Sequence, residues 1–290
     1  MAQQQDPQYA VIIPHYNDVD RLRRCLHALA PQAGADVEIV VADNNSSVDL
    51  ARVKAEFPRV RFVVQTEKGA GPARNLGVAQ SSAPWLLFID ADCVAAPDWV
   101  ETARRIGRED AVIGGRVDVF DETPPPRSGA EAFEAVFAFK MEAYFRDKKF
   151  LGSGNLVTSR AVFDKTGGFR SGVSEDVEWS QRAASTGFQL GYDNDFAVGH
   201  PSRPDWPALS GKWRRLVAEN FLLEGKSPKA RARRSLRALA MPLSAIAHIP
   251  KVIAHADLAG REKARAILTL FRLRLARMGW MLRQVVTGKP

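Results

Sequence analysis

The sequence predicts an α/β fold: a mostly parallel sheet with helices on both faces, followed by a basic C-terminal region that is helical throughout. Three observations carry this. Short apolar runs of strand length alternate with segments of helical spacing as far as Ile89. Each of those runs stops at a polar or glycine-bearing loop, the edge where open α/β sheets bind ligands. Charge is also segregated: residues 207–290 hold 18 Lys/Arg against 4 Asp/Glu, a net of +14, while residues 1–206 hold 23 against 29, a net of −6.

Composition bounds the class. The chain has 290 residues, a net charge of +8, 46% apolar and 26% charged residues, a globular rather than a disordered balance. Two cysteines, Cys25 and Cys93, cannot build a disulfide scaffold or a four-cysteine zinc site, and a reducing compartment is the simpler reading. Met1 to Asp6 lacks the basic and apolar regions of a signal peptide, and no apolar run reaches the length of a membrane span. Two regions are expected, residues 1–205 around the sheet and residues 206–290 as the helical extension.

In order, Tyr9–Pro14 reads as a buried strand, and Asp18–Ala30 as a helix with Leu22, Cys25, Leu26 and Leu29 on one face and Asp18 as its N-cap. Val37–Ala42 is a second strand ending in Asp43-Asn44-Asn45-Ser46-Ser47. Val48–Phe57 reads as a helix, Val60–Val64 as a third strand, Ala73–Gln80 as a helix and Trp85–Ile89 as a fourth strand. Val112–Val119 reads as a strand, Ala130–Phe145 as one helix, and Val173–Thr186 as another stopped by Gly187. From Trp206 onward only helices are expected.

Four loops and one histidine carry chemistry. Leu87-Phe88-Ile89-Asp90-Ala91-Asp92 runs a buried strand into two carboxylates, a pattern that suits Mg²⁺ or Mn²⁺ completed by phosphate and water, or else ordinary turn chemistry. Asp43 can accept from a nucleobase or ribose, or close an Asx-turn. Lys68-Gly69-Ala70-Gly71-Pro72-Ala73-Arg74 frees backbone ahead of a helix and offers Arg74 to a phosphate. It follows the third strand and lacks a third glycine, which argues against a dinucleotide-binding dehydrogenase or methyltransferase. Glu175, Asp176 and Glu178 open a helix, either to complement its dipole or to supply a base that deprotonates a hydroxyl, with Trp179 as a flat apolar wall. His200 gains meaning only if it folds beside Asp92.

Taken together and in order, these segments resemble the family 2 glycosyltransferases, nucleotide-sugar-dependent enzymes of the Rossmann-like GT-A fold. The matching stretches are Val11-Ile12-Ile13-Pro14-His15-Tyr16-Asn17, Val41 to Ser47, Gly71-Pro72-Ala73-Arg74-Asn75-Leu76-Gly77, Ile89-Asp90-Ala91-Asp92, Gly152-Ser153-Gly154-Asn155-Leu156 with Gly167-Gly168-Phe169, and Glu175-Asp176. The resemblance runs from Tyr9 to His200. It implies that Pro14, His15, Tyr16, Asn17, Asp43, Gly71, Arg74, Asp90 and Ala91 bind the nucleotide sugar. It implies Asp92, Asp90 and His200 as holders of Mn²⁺ or Mg²⁺, and Gly154, Asn155 and Trp179 on the acceptor side. Asp176 would be the catalytic base and Glu175 would orient the acceptor. The implied reaction is an inverting transfer from a UDP- or GDP-sugar to a glycan or lipid-linked hydroxyl, in surface polysaccharide or lipopolysaccharide assembly. A sugar nucleotidyltransferase would want a glycine-rich loop after the first strand, where Pro14-His15-Tyr16-Asn17 stands.

The basic tail lies outside the matched region. Arg261, Arg265, Arg272 and Arg283 fall within roughly 40° on a helix, while Phe271, Met278, Trp280 and Met281 are offered to core or lipid. The expected partner is an anionic membrane surface on the cytoplasmic side, with packing on the catalytic region or in a homodimer as the alternative. Nucleic acid is not an expected partner, because it leaves Asp43, Asp90, Asp92 and Asp176 without a role. A relative that keeps the fold without catalysis is the remaining alternative.

Overall fold

The computed structural model describes residues 6–171, 174–225 and 227–290. The first five residues of the stretch read against a signal peptide, and Val173 at the expected start of a helix, lie outside them.

The sheet is built outward from β1 (Tyr9–His15). It pairs in parallel with β2 (Val37–Asp43), Tyr9 opposite Val37 and His15 opposite Asp43, and with β4 (Trp85–Ile89) on its other side. β2 pairs in parallel with β3 (Arg61–Val64), Asp43 opposite Val64. Parallel strands in this register end together, so the loops after His15, Asp43, Val64 and Ile89 open on one edge. Side chains alternate between faces. Val11, Ile13, Val41, Leu87 and Ile89 enter one core with Leu22, Leu26 and Leu29 of α1 (Val19–Leu29), Val53 of α2 (Ala51–Glu56) and Trp99 of α4 (Trp99–Ile106). Ala10, Ile12, Val40, Leu86 and Phe88 enter a second with Val78 of α3 (Ala70–Ala79), Val162 of α7 (Arg160–Thr166) and Trp179 of α8 (Glu175–Ser185). Helices therefore cover both faces, and Asp18 caps α1 by accepting from the Arg21 amide.

Beyond β4 the pairing changes sense. The strand order is β3-β2-β1-β4-β7-β6-β8-β5, with β5 Val94–Ala95, β6 Ala111–Phe120, β7 Asn155–Ser159 and β8 Gln189–Pro201. β4–β7, β6–β7 and β5–β8 are antiparallel. Parallel pairing joins β1 to β4, antiparallel pairs follow, and the sheet is mixed. β5, β7 and β8 are absent from the sequence reading: β5 is two residues long, β7 follows a glycine-rich stretch, and β8 carries Gly191, Asp193, Asn194 and Asp195 where an apolar run would have marked a strand. Only the neighbours they pair with make them strands.

The chain divides into two compact units. The first takes Met1–Asp118, Phe139–Ser171 and Glu175–His200; the second takes Val119–Ala138, Gly172–Ser174 and Pro201–Pro290. The split at 205/206 therefore moves to Pro201, and the second unit also claims α5 (Gly129–Phe137). The single helix expected over Ala130–Phe145 is two, α5 and α6 (Met141–Lys148). Phe139 between them sits at φ +47, a conformation an aromatic residue adopts at a cost, and its ring lies 4.5 Å from that of His200.

The second unit is helical: α9 (Trp206–Glu224), α10 (Pro228–Leu239), α11 (Met241–Ile253) and α12 (Gly260–Thr287) pack with α5. Ala130 and Phe133 of α5 meet Leu209, Ala245, Leu270 and Leu273. Arg261, Arg265, Arg272 and Arg283 do share the exposed face of α12. Met281, Met278 and Trp280 pack with Val217 and Ala238, and Phe271 packs beside Leu270 and Leu273, so all four meet the core of their own unit, Met281 buried and the other three partly so.

Glu134 anchors this unit. Its buried carboxylate receives Lys212 Nζ at 2.8 Å and Arg203 through both backbone and side chain. Burial opposes its charge, but Lys212 and Arg203 outweigh that and hold its pKa below the ordinary 4.5. Glu134 therefore adds stability above pH 4.5, and that stability fades as pH falls through its lowered value. Glu134→Gln should cost about 3 kcal/mol at neutral pH, and the gap from the wild type should close in more acidic solution. Thermal melts across pH check both.

Candidate active site

The chemistry-bearing residues singled out from the sequence fall in the first unit, most of them on the edge where β1, β2 and β4 end. Three clusters form there.

The first stitches the loops after β1 and β2. His15, buried, donates from Nδ1 to Asp43 Oδ1 at 2.8 Å and accepts at Nε2 from the Asp18 amide, which fixes its tautomer. Asp43 also accepts from the Ser46 amide and hydroxyl, an Asx-turn. Burial raises the Asp43 pKa, but Ser46 and His15 more than reverse it, so the carboxylate stays below its usual range. Asn17, at φ +54, accepts from the Ser47 amide at 2.8 Å, and its own amide donates to Ser46 Oγ. Pro14 ends the β1 apolar run, and Tyr16 stands 60% exposed on the rim. A cavity of about 210 Å³ opens beside Asp43, lined by Val48, Leu50, Lys54, Phe62 and Val64.

The second cluster is Arg74. Its guanidinium is 3% exposed and bridges two carboxylates, donating from Nη2 to Asp90 and from Nη1 to Glu175. It also lies over the Phe169 ring at 5.6 Å. Burial opposes its charge, yet Asp90, Glu175 and Asp176 raise its pKa further. Burial in turn pushes the carboxyls of Asp90 and Glu175 up, against the pull of Arg74. The resemblance sets Arg74 on the nucleotide sugar and Glu175 at the acceptor; in this structure the Arg74 fork pairs with Asp90 and Glu175, and the Glu175 carboxylate with Arg74. The motif glycines follow the same logic. A Cβ on Gly71 would stand 2.8 Å from Glu175 Oε2, and one on Gly154 would stand 2.5 Å from Asp90 Oδ2. These glycines make room for carboxylates.

α3 and α8 are locked to each other. Asn75 donates to the Phe169 carbonyl and accepts from the Phe169 amide, both at 2.8 Å. Arg182 donates to the carbonyls of Thr166, Gly167 and Gly168. Asp176, next to Glu175, accepts on Oδ1 from the Ser153 amide at 3.1 Å and from the Ser153 hydroxyl. Ser153 is a functional neighbour the sequence reading missed; a serine between two glycines carries no signal of its own.

The third cluster is Asp92 with His200. β5 pairs antiparallel with β8, Val94 opposite Gly199, which brings His200 beside Cys93. His200 Nε2 then reaches Asp92 Oδ2 at 3.3 Å, the juxtaposition on which its role depended. Ala91 between the two aspartates is buried. Among the described residues no group of three or more His, Cys, Asp or Glu is arranged to hold a metal. A carboxylate oxygen and an imidazole nitrogen converging at a sheet edge do fit Mn²⁺ or Mg²⁺, which commonly take one or two protein ligands and fill the rest from phosphate and water.

Two residues assigned to the acceptor side are buried and bonded within the protein. Asn155 is buried, accepts from Trp99 Nε1 and donates to the carbonyls of Arg116 and Phe196, which leaves little polar capacity for a ligand. Trp179 is fully buried against Phe163 and Phe169 and donates to the Gly167 carbonyl.

A family model described as Glycosyl transferase family 2 matches residues 10–171, more than half of the chain. The chain belongs to this family. It is therefore read as a glycosyltransferase. Glycosyltransferase AglE of Haloferax volcanii is 27% identical over 219 residues, covering 72% of this chain and 71% of AglE. YibD of Escherichia coli K12, an uncharacterized glycosyltransferase, is 36% identical over 105 residues, 35% of this chain and 30% of its own. Among solved structures, the mannosyltransferase PcManGT of Pyrobaculum calidifontis, in complex with GDP-Man and Mn²⁺, superposes with a TM-score of 0.59 at 18% identity, over 99% of this chain and 89% of that one. TarS 1-349 of S. aureus in complex with UDP-GlcNAc gives 0.54 at 16% identity, over 97% and 92%. At those identities the likeness shows the fold, which is GT-A.

Removing Arg74 leaves two partly buried carboxylates unpaired. Arg74→Ala should lower stability by about 3 kcal/mol, and adding Glu175→Gln should restore part of the loss by removing one of the stranded charges. Denaturant melts of the single and double variants test this.

Proposed function

We propose that this family 2 member is a metal-dependent, inverting glycosyltransferase. It moves a sugar from a UDP- or GDP-sugar to a hydroxyl of a glycan or lipid-linked acceptor, in surface polysaccharide or lipopolysaccharide assembly. The observation that carries the metal dependence is the meeting of Asp92 and His200 at the edge of the sheet. The nucleotide sugars held by PcManGT and TarS, and the Mn²⁺ held by PcManGT, support the donor class.

In this reading the nucleoside lies against the stitched β1 and β2 loops. Asp43 offers carboxylate lone pairs to it, and Tyr16 offers an exposed ring. Asp92 and His200 hold the divalent cation. When bound, that cation supplies Lewis-acid stabilisation to the diphosphate. Asp90 stays with Arg74 and keeps the strand end in place. Asp176 takes the acceptor proton, its carboxylate fixed by two hydrogen bonds from Ser153. Glu175 is a positioning residue: through Arg74 it fixes the start of α8, and with it Asp176. The inverting course implies attack from the face opposite the diphosphate. Lipid-linked acceptors lie at a membrane, and this reading sets the protein peripherally on its cytoplasmic face.

Thermal shift with UDP and GDP, with Mn²⁺ or with chelator, tests the donor site. One diphosphate should stabilise by roughly 2.7 kcal/mol at a hundredfold excess over its dissociation constant, and only with metal. Asp92→Asn should abolish that shift. Asp176→Asn should keep it and lose about 10²–10⁴-fold in transfer rate. A shift that survives chelation, or an active Asp176→Asn, overturns the reading.

A further inference from the structure

α10 and α11 run nearly end to end, bent by 49° at Ala240. One side of this pair is core. Ala238 and Met241 pack with Val217 and Met281, Ala245 with Leu209 and Leu270, and Val252 with Ala132 and Leu258. The other side is apolar and uncovered. Leu236, Leu239, Leu243, Ile246 and Ile253 are 56–70% exposed. Their spacing of three, four, three and seven residues puts them within an arc of roughly 100°. Single exposed leucines are ordinary, but five in a row along two consecutive helices are not.

The charges around the stripe are one-sided. Residues 227–256 contain no Asp or Glu, and Lys229, Arg233 and Lys251 are exposed along one border of the apolar arc. We propose that this stripe is a membrane-docking surface: α10 and α11 lie in the interface of an anionic bilayer, with the leucines and isoleucines among acyl chains and the cations among headgroups. The inference rests on the peripheral-membrane reading and names the element that makes contact. It narrows the sequence expectation, which gave that role to the basic region 206–290 as a whole.

Other occupants fit less well. A second copy brings the same cations to the same surface, and like charges repel. Nucleic acid suits the cations and has nothing for five aliphatic side chains. Among the described residues no single helix is long and apolar enough to cross a membrane; the bent pair has the length and composition but buries Ala238, Met241, Ala245 and Val252 in its own unit. It lies on the bilayer.

Flotation of the full chain with vesicles tests this, using phosphatidylcholine alone against phosphatidylcholine mixed with phosphatidylglycerol. The wild type should float only with the mixed vesicles, and less in high salt. Leu239→Gln/Leu243→Gln/Ile246→Gln should weaken that binding by more than roughly tenfold, whereas Leu268→Gln/Leu275→Gln on α12 should leave it unchanged. Both variants should keep the wild-type thermal shift with nucleoside diphosphate and metal, which shows the catalytic unit folded. If the wild type floats and the α12 variant alone loses binding, the stripe is wrong and the membrane reading stands. If the wild type does not float with anionic vesicles, both fall, and the glycosyltransferase reading is untouched. A wild-type dimer in light scattering that the stripe variant converts to monomer assigns the stripe to a second copy and overturns the proposal.

Discussion

One guanidinium holds the catalytic edge together. Arg74 rises from the first turns of α3, under the sheet edge, and is shared between Asp90 at the end of β4 and Glu175 at the start of α8. Three segments that are distant in sequence are thereby fixed at one point. The arrangement is costly in either half: a buried arginine needs its carboxylates, and two neighbouring carboxylates in a partly buried site need the arginine. Each therefore constrains the others, and the residues that flank them, Asp92 and Asp176, inherit their positions.

The rest of the first unit serves that constraint. Gly71 and Gly154 are small because Glu175 and Asp90 occupy the space a side chain would take. Asn75 clamps the backbone of Phe169, and Arg182 gathers the carbonyls just before it, so α3 and α8 hold the same short stretch of backbone. Asn155 is buried with its amide fully engaged, bracing β7 against Trp99 and the backbone of Arg116 and Phe196. Its neighbour Ser153 can then reach Asp176. A polar group with every partner in place specifies position, and a preorganised site is built from such groups.

The second unit obeys a different balance. It buries few charges, among them Glu134 with Lys212 and Arg203, and Arg234 with Glu224, and leaves most of its cations outside. Its longest helix keeps arginines on the exposed face and packs Leu270, Leu273 and Met281 inward, while Leu268, Leu275 and Val286 stay exposed. The longest run of exposed apolar residues lies along α10 and α11. Lys229, Arg233 and Lys251 border that run, so charge and hydrophobicity meet on the same two helices.

Much of this was legible in the residues. Apolar runs, their polar ends and the two-residue spacing of Asp90 and Asp92 are local patterns, and they set the strands, the binding edge and the motif order by themselves. The alternation along β1, β2 and β4 is equally local, since a pleat sends neighbours to opposite faces. What local pattern could not decide was partnership. Whether Arg74 meets a phosphate or a carboxylate, whether Asn155 and Trp179 face a ligand or the core, and which helix of the tail is bare depend on what packs alongside. β8 exists only because β5 and β6 flank it, and His200 reaches Asp92 only through that pairing. Long-range contacts are set by register and burial summed over the whole sheet, and no window of sequence contains that sum.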